Sequence, residues 1–285
     1  MTHIDSLFSF CNKLTSFNLS GLNLSRVVSA TALFSSCSKL TTVSLSGLNL
    51  SSLVSAYALF SGCSALTTAN LSGLNLSSVE DMGRMFYICS NLTSVDFTGV
   101  TLGSALNMKS MFYSCKALTT IDLSPLNTST VTDMETMFQS CEKLTNVTFG
   151  GNFSTESVTT MHAMFFNCST LVSLNLACFN TQNVTDMGFM CARCPQLTSV
   201  DLRNATGTSL TTTDNMFQSC ARLTNIRFDV MTLPASGVNL NVMLNNNTCT
   251  SVSSCTLYCP PGTWTRLSSA NVLSSKIHWG DPSSL

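Results

Sequence analysis

Charged residues are scarce in this chain of 285 residues. Asp, Glu, Lys and Arg make up 9% of the sequence, whereas an ordinary soluble domain has about 25%. The formal net charge is -1, so the chain has no general attraction for phosphate backbones or anionic lipid. This composition argues against a nucleic-acid-binding protein and against a peripheral membrane protein.

Long apolar runs are also absent from the sequence. No stretch approaches the ~18 residues that a membrane-spanning helix needs, so we expect no membrane insertion. The first residues, MTHIDSLFSFCNKL, contain no basic start followed by a long apolar stretch. No signal peptide is therefore predicted.

Residues and motifs of catalysis are few. The histidines His3, His162 and His278 lie at unrelated positions of the chain, and the acidic residues form no recognisable pair. The sequence has no G-x-S-x-G, phosphate-loop or H-E-x-x-H motif. We therefore predict that the protein is not an enzyme and that it uses no cofactor or metal.

Hydroxyl groups and apolar side chains make up most of the sequence instead. Serine and threonine together account for more than a quarter of the chain, and 44% of the residues are hydrophobic. That apolar fraction is enough to build a core, so the chain is not predicted to be disordered.

A repeat runs along most of the chain. The motif Phe-x-x-Cys-x-x-Leu occurs in nine registered copies, one of which has Cys191 in the Phe position. The cysteines of the motif are Cys11, Cys37, Cys63, Cys89, Cys115, Cys141, Cys168, Cys194 and Cys220. The step between them is constant, except that the step after Cys141 is one residue longer, and a degraded tenth copy is expected at Met243 and Leu244. A period of about 26 residues indicates a solenoid, since so short a unit cannot hold the four strands of a propeller blade.

Each repeat has two halves with different apolar periods. In the fourth copy, Val79, Met82, Met85, Phe86 and Cys89 are spaced by three and four residues, which predicts a short helix. After Cys89, residues 92–97 alternate between apolar and polar, which predicts a half-buried strand. The predicted fold is therefore α/β: a right-handed leucine-rich-repeat solenoid of about ten 26-residue strand–helix rungs.

The last residues do not follow the repeat pattern and are predicted to form a separate C-terminal unit. Residues 256–258 are predicted as a final strand, residues 260–262 as a stop and residues 265–273 as a short helix. Both tryptophans, Trp264 and Trp279, lie here, as expected for a cap over the last rung. We assign residues 1–250 to the solenoid and residues 251–285 to a C-terminal strand–helix cap.

The repeat resembles a known family. The phrase Val-Thr-Asp-Met-x-x-Met-Phe-x-x-Cys-x-x-Leu at residues 131–144 is similar to the 26-residue repeat of bacterial surface proteins and Mycoplasma-type lipoproteins, which are relatives of the BspA-like leucine-rich repeats. The resemblance covers roughly residues 1–250. It implies a surface-exposed adhesion or recognition protein, of a kind found in bacteria, some protists and some phages, and it carries no catalytic residues.

The cysteine and methionine positions are predicted to be core. Neighbouring cysteines of the motif lie ~4.8 Å apart on adjacent rungs, within disulfide reach, but their side chains should point in parallel into the core as reduced thiols. The methionines at Met82, Met108, Met134, Met161 and Met187 admit a copper-binding interpretation. The core interpretation is favoured because Ala30 and Ala56 fill the same position in earlier copies. The redox state of Cys249, Cys255 and Cys259 is left open.

The predicted strands place polar residues in rows on the outer side of the sheet. The candidate binding face consists of Asn70, Asp96, Asp122, Thr148, Asn175, Asp201 and Arg227. Protein-binding hot spots favour Trp, Tyr and Arg, and of these the row holds Arg227 alone. Solvated surface and a weak multivalent face for a protein or a glycan both remain open.

The first rung supplies a second candidate surface. Its strand has no earlier strand in this sequence, and an open parallel edge invites pairing. The candidate assembly edge consists of Ser16, Asn18 and Ser20, through which self-association is expected. The leading hypothesis is a non-catalytic surface recognition module, and the alternative is a structural virion component or a filament subunit.

Overall fold

Short parallel strands stack into a solenoid in the computed structural model, which describes residues 1–19, 21–227, Cys255–Tyr258 and Ile277–Gly280. Eight main strands recur once per repeat and mark seven complete turns. They are β1 Thr42–Ser44, β2 Thr68–Asn70, β4 Ser94–Asp96, β6 Thr120–Asp122, β7 Asn146–Thr148, β8 Ser173–Asn175, β9 Ser199–Asp201 and β10 Asn225–Arg227. The predicted solenoid is confirmed.

Further strands lie beside and beyond these eight. The two-residue strands β3 Asn75–Leu76 and β5 Thr101–Leu102 pair in parallel and form a second, shorter ladder. After β10, strand β11 Cys255–Tyr258 pairs in parallel with β10, and β12 Ile277–Gly280 pairs with β11. The final strand predicted at residues 256–258 is therefore found in β11.

Several predictions fall outside the described residues. These are the tenth repeat copy at Met243 and Leu244, the stop at residues 260–262, the helix at residues 265–273 and the position of Trp264. The division into a solenoid at 1–250 and a cap at 251–285 stays a prediction.

The main strands pair in the register that the repeat predicts. Thr120 lies opposite Asn146, and Asp122 lies opposite Thr148. The middle residue of β6, Ile121, is buried, whereas its two neighbours in the strand are exposed. One face of each strand thus points into the core, and polar residues form rows on the other.

The predicted helices are not present in the described part of the chain, and the strand–helix rung must be corrected. The segment from Met82 to Cys89 forms consecutive turns. Residues Arg84 and Ile88 have φ angles of 55° and 58°, in the left-handed region that interrupts an α-helix. Equivalent residues with positive φ recur in every described repeat.

Hydrogen bonds to the next rung explain why these segments are not helical. The N–H of Arg84 donates to the carbonyl of Lys109 at 2.9 Å, and the N–H of Phe86 donates to that of Met111 at 2.9 Å. Every second N–H of the segment is used in this way, and an α-helix would need each of them for a carbonyl four residues earlier. Most of the remaining N–H groups close four-residue turns, as from Tyr87 to the carbonyl of Arg84 at 3.0 Å.

Aromatic and sulfur-containing side chains fill the core in columns. The phenylalanines of the repeat stack on one another with ring centroids 5.3–5.7 Å apart. The methionines at Met82, Met108, Met134, Met161 and Met187 are fully buried, which agrees with their predicted role in the core. No helix among the described residues is long and apolar enough to cross a membrane.

The repeat cysteines are hydrogen-bond donors as well as core residues. From Cys37 to Cys220, each thiol of the repeat motif donates to the carbonyl at the Phe position of the preceding rung, as from Cys115 to Phe86 at 3.2 Å and from Cys141 to Phe112 at 3.1 Å. The sulfur atoms therefore point at backbone carbonyls of the preceding rung.

The one repeat that is a residue longer than the others accommodates its insertion in a loop. The extra residue lies between Phe149 and Phe153, in a segment that contains Gly150 with a φ of 129° and Gly151 with a φ of 58°. A side chain on Gly151 would place its Cβ 2.8 Å from the carbonyl oxygen of Ser124. Glycine at this position lets the longer loop lie against the preceding rung.

The strand register generates a prediction for two neighbouring residues. Leu123 is fully buried, so Leu123→Asp is expected to lower the free energy of unfolding by about 3 kcal/mol or more, because the carboxylate would be buried without a partner. Asp122 is exposed, and Asp122→Ser is expected to change it by about 1 kcal/mol at most. Urea denaturation of both variants measures the difference, and equal midpoints would contradict the register.

The buried thiols generate a second prediction, on alkaline stability. Burial raises the pKa of Cys63, Cys141 and Cys220 from 9.0 to about 12. Unfolded thiols lose their protons above pH 9 while the folded ones keep theirs, so stability is complete below pH 9 and falls as the pH rises towards 12. Each such thiol lowers the free energy of unfolding by about 1.4 kcal/mol per pH unit in that window.

Comparison with Cys141→Ala isolates one thiol. The variant is less stable at neutral pH, but its stability should fall less steeply between pH 9 and 11 than that of the unchanged protein, by the slope of a single thiol. Parallel curves would contradict the argument. The buried cysteines of the repeat motif should also react with a thiol reagent only when the protein is denatured. Four or more disulfides found by mass spectrometry would overturn their assignment as reduced core residues.

Candidate functional site

The predicted binding face is a continuous row on the structure, which we call the strand-end column. Its members are the last residues of consecutive main strands: Asn70, Asp96, Asp122, Thr148, Asn175, Asp201 and Arg227. Strand pairing sets Asn70 opposite Asp96 and Asn175 opposite Asp201. Beside it runs the strand-start column, made of Thr68, Ser94, Thr120, Asn146, Ser173, Ser199 and Asn225. The sequence-predicted residues are therefore brought together on one side of the solenoid.

Most side chains of the strand-end column are used by the turn that follows their own strand. An Oδ1 atom accepts the N–H two residues further on, as from Thr98 to Asp96 at 2.9 Å and from Ser124 to Asp122 at 2.9 Å. Asn70, Asn175 and Asp201 make the same bond. These side chains close turns, and each carboxylate keeps its second oxygen for other partners.

Two aspartates of this column, Asp96 and Asp201, differ in their electrostatic surroundings. Hydrogen bonds from the backbone N–H and the hydroxyl of Thr98 lower the pKa of Asp96. Partial burial opposes ionisation of Asp201, but hydrogen bonds and charge from Arg203 outweigh it, with a contribution from Arg227, and the pKa is lowered. Asp201 and Arg203 form an ion pair, so this carboxylate is largely neutralised by a residue that the sequence did not single out.

The predicted assembly edge is only partly described, and residues 15–19, where the strand of the first rung was expected, do not form a strand. Ser16 and Asn18 are exposed in the first rung, and Ser20 lies outside the described residues. Several hydrogen bonds join this rung to the second one, among them those from the N–H of Ile4 to the carbonyl of Ser29 at 2.9 Å and from the N–H of Thr41 to the carbonyl of Thr15 at 3.4 Å. Four large apolar side chains are exposed at or near this end, Met1, Leu7, Phe10 and Leu22, with exposed fractions of 87%, 57%, 72% and 56%.

No metal-binding cluster of three or more His, Cys, Asp or Glu side chains occurs within the ranges that the structure describes. His162 contacts one carboxylate, that of Asp186, at 3.2 Å. The side chain of Asp186 also accepts the N–H of Gly188 at 2.7 Å, so the aspartate closes its own turn. The carboxylate of Asp186 therefore orients the His162 ring at the surface. Among the described residues, no nucleophilic side chain and no further metal-binding side chain is shown beside this pair.

The face formed by the stacked turns carries aromatic side chains that sequence reasoning missed. We call the first group the tyrosine patch: Tyr57, Arg84, Tyr87, Ile88 and Tyr113. The rings of Tyr87 and Tyr113 stack with centroids 4.8 Å apart, and the guanidinium carbon of Arg84 lies 5.2 Å from the Tyr87 ring centroid. Ile88, beside them in the chain, is 41% exposed.

A second group lies four rungs further along the same face. This phenylalanine patch consists of His162, Phe166, Phe189 and Arg193. Phe189 meets His162 and Phe166 edge-on, with centroids 5.7 Å and 6.4 Å apart. The guanidinium carbon of Arg193 lies 5.4 Å from the Phe166 ring centroid.

Glycine makes room for one ring in each patch. A Cβ on Gly83 would lie 3.2 Å from the Tyr57 ring, and one on Gly188 would lie 3.2 Å from Nδ1 of His162. In both places the ring lies over the glycine of the following rung. Two pairs, Tyr57 with Gly83 and His162 with Gly188, could have indicated the patches from the sequence, because each places a ring one repeat before a glycine. The helix prediction was wrong about which positions face outward, and the pairs were therefore not recognised.

Comparisons with known proteins match the repeat region of the chain. The model of a family described as "Mycoplasma protein of unknown function, DUF285" matches residues 2–120 and again residues 106–231. The comparison with curated proteins gives no match.

Solved structures are similar at low identity. A leucine rich cell surface protein from Faecalibacterium prausnitzii is 16% identical with a TM-score of 0.36, over 80% of this chain and 68% of that one. The leucine-rich repeat protein TpLRR from T. pallidum is 17% identical with a TM-score of 0.34, over 85% and 80%. An internalin, inlF, from Listeria monocytogenes is 14% identical with a TM-score of 0.38, over 99% and 82%.

The turn-closing role of the strand-end column is testable at Asn175. Asn175→Ala removes the acceptor of the Ala177 N–H, a bond of 3.0 Å, and is expected to lower the free energy of unfolding by about 0.5–1.5 kcal/mol. Asn175→Asp keeps the acceptor and should retain most of the stability. The control is Ser173→Ala in the strand-start column, which is expected to have no effect. Urea denaturation ranks the three variants, and an equal loss in Ser173→Ala would contradict the role.

Proposed function

Since the chain belongs to the family described as "Mycoplasma protein of unknown function, DUF285", we propose that it is a non-catalytic recognition or adhesion module exposed on the surface of a cell or particle. The family match agrees with the resemblance to BspA-like 26-residue repeats that the sequence indicated. We propose a protein or a glycan as its partner.

One observation carries this proposal: the two polar columns run in register over seven successive main strands of the solenoid. Hydroxyl, amide and carboxylate groups recur at each rung, about 4.8 Å apart, on strands whose pairing holds them in place. The turn-closing bonds of residues such as Asp96 and Asp122 fix the orientation of the side chains. A rigid row of weak polar groups suits a repetitive partner, because many weak contacts made together give high avidity.

A second candidate function is a structural one, as a virion fibre, decoration or receptor-binding protein or as a filament subunit. It is favoured by the exposed apolar side chains at the first rung, chiefly Leu7 and Phe10. Exposed apolar surface of this kind favours association with another copy of the chain. Under this proposal the candidate edge at Ser16, Asn18 and Ser20 pairs with a second molecule.

Lysine substitutions on the strand face test the recognition proposal. The variant Thr120→Lys/Asn146→Lys/Ser173→Lys places three cations on exposed positions of the strand-start column. The full chain, labelled with a fluorophore, is applied to an array of defined glycans and to a displayed library of random peptides. We expect binding to members of at least one set, with a loss of about tenfold or more in the variant, because bulky charges block the face.

Three lysines elsewhere provide the matched control. Thr101→Lys/Glu156→Lys/Gln182→Lys changes one exposed residue of the short strand β5 and two exposed residues of the connecting segments, and it should bind like the unchanged protein. Equal binding by both triple variants would exclude the strand face. The alternative outcome is that neither set binds and that the chain self-associates in analytical ultracentrifugation, with the association abolished by Phe10→Asp. This outcome would contradict the recognition function and support the structural one.

A further inference from the structure

The backbone hydrogen bonds between neighbouring turn segments give the solenoid a direction. A turn segment is the part of each repeat that is equivalent to residues 82–88. In every pair of described turn segments, the earlier rung supplies the N–H groups and the later rung the carbonyls, as from Met82 to Asn107 at 3.0 Å and from Phe86 to Met111 at 2.9 Å. The turn segments therefore present acceptors towards the N-terminal end of the solenoid and donors towards the C-terminal end.

The turn segment of the first rung leaves a row of acceptors open at the N-terminal end. The equivalent carbonyls of the second rung each accept an N–H of the first rung at 2.8–2.9 Å. In the first rung, four carbonyls at every second residue have no donor among the residues that the structure describes: those of His3, Asp5, Leu7 and Ser9. They face away from the second rung, and they can accept N–H groups from another extended chain.

The same end exposes apolar positions that are buried elsewhere in the repeat. Leu7 is 57% exposed, whereas Leu33 and Leu59, at the same position of the next two rungs, are 4% and 3% exposed. Phe8 is only partly buried, although its equivalents in all later described rungs are fully buried. Phe10, beside them, is 72% exposed. The N-terminal end thus resembles a core cut in half, which is typical of an interface between subunits.

The donors and side chains that would cover this end are those of a further turn segment. A covering chain has to supply N–H groups at every second residue, together with apolar side chains in the same layer. The turn segments of this protein have that arrangement on the side that faces their C-terminal end, as in Met82 and Phe86. Two first rungs placed against each other would instead bring two rows of carbonyls together without a donor.

The sheet is open at the C-terminal end as well. Strand β12 pairs with β11 on one side, and no strand pairs with its other side within the described ranges. An unpaired edge of this kind favours pairing with another chain. Since all the paired strands are parallel, β12 of one copy and residues 15–19 of the next would run in the same direction in a head-to-tail stack.

We infer that the N-terminal end binds the C-terminal end of a second copy, so that the chains associate head to tail. The two surfaces of this contact differ, and each copy therefore keeps one free surface after it has bound a neighbour. Such a heterologous contact does not stop at a dimer and produces an open, polar filament unless its rotation closes a ring. The inference rests on the structural function proposed as the second candidate, and it specifies the orientation of the contact.

Two variants that are blocked at opposite ends test the orientation. Leu7→Asp/Phe10→Asp places two carboxylates on the N-terminal end. In the second variant a folded domain is fused directly after Leu285, shortly beyond β12, and covers the C-terminal end. In analytical ultracentrifugation we expect the unchanged chain to form species larger than a dimer as its concentration rises, and each variant alone to remain a monomer. An equimolar mixture of the two should form a 1:1 complex and nothing larger.

Carboxylates placed far from both ends provide the matched control. Leu106→Asp/Val172→Asp makes the same change at apolar side chains that are 45% and 50% exposed. It should change the apparent dissociation constant by less than about twofold, whereas Leu7→Asp/Phe10→Asp should raise it by about tenfold or more. Circular dichroism checks that all variants are folded, and the 1:1 complex also shows that the N-terminal variant keeps a functional C-terminal end.

The outcomes separate the orientation from self-association itself. If the C-terminally fused variant alone forms dimers, first rungs pair with each other, so the structural function stands and the head-to-tail inference fails. The inference also fails if the mixture gives no 1:1 complex, or if Leu7→Asp/Phe10→Asp associates as well as the unchanged chain. A chain that stays monomeric at the highest concentration reached would contradict both the inference and the structural function, and it would leave the recognition function to be decided by the glycan and peptide binding.

Discussion

Backbone hydrogen bonds that run along the solenoid axis are the constraint on which the rest of this structure depends. In each turn segment every second N–H donates to the next rung, as from Arg84 to Lys109. Those donors are not available to a helix, so the remaining N–H groups close turns and left-handed residues recur at fixed positions. A residue inserted within such a segment would misalign donors and acceptors on both neighbouring rungs. The one extra residue of the chain lies instead in the loop between Phe149 and Phe153.

The same constraint organises the interior. Because equivalent residues of successive rungs lie directly above one another, each core position becomes a column of like side chains, and the phenylalanine rings stack over several rungs. The cysteine column adds a hydrogen bond that an aliphatic residue lacks, since each thiol donates to a carbonyl of the preceding rung. The thiol here is small, apolar and a hydrogen-bond donor, which accounts for its use in the core.

Periodicity predicted the parts of the fold that depend on which residues are buried. The inward position of Leu123 and the outward position of Asp122 follow from alternation alone, and both agree with the structure. The helix did not follow, because successive turns with left-handed residues produce the same spacing of three and four as an α-helix. Because of that error, the sequence did not indicate that Tyr87 and Tyr113 lie together on the face formed by the stacked turns. The turn-closing bonds of the strand-end column likewise depend on backbone geometry that apolar spacing does not encode.

The equivalence of the rungs also makes the solenoid a molecular ruler. Duplication or loss of one repeat unit between the two aromatic patches would leave every hydrogen-bonded neighbour in register and would shift the patches apart or together by one strand spacing, about 4.8 Å. A gain or loss of one repeat in the gene would produce such a change in a single step, and the remaining rungs would fold as before. The distance between the two patches is thus a heritable quantity that changes in fixed steps, independently of the chemistry of either patch.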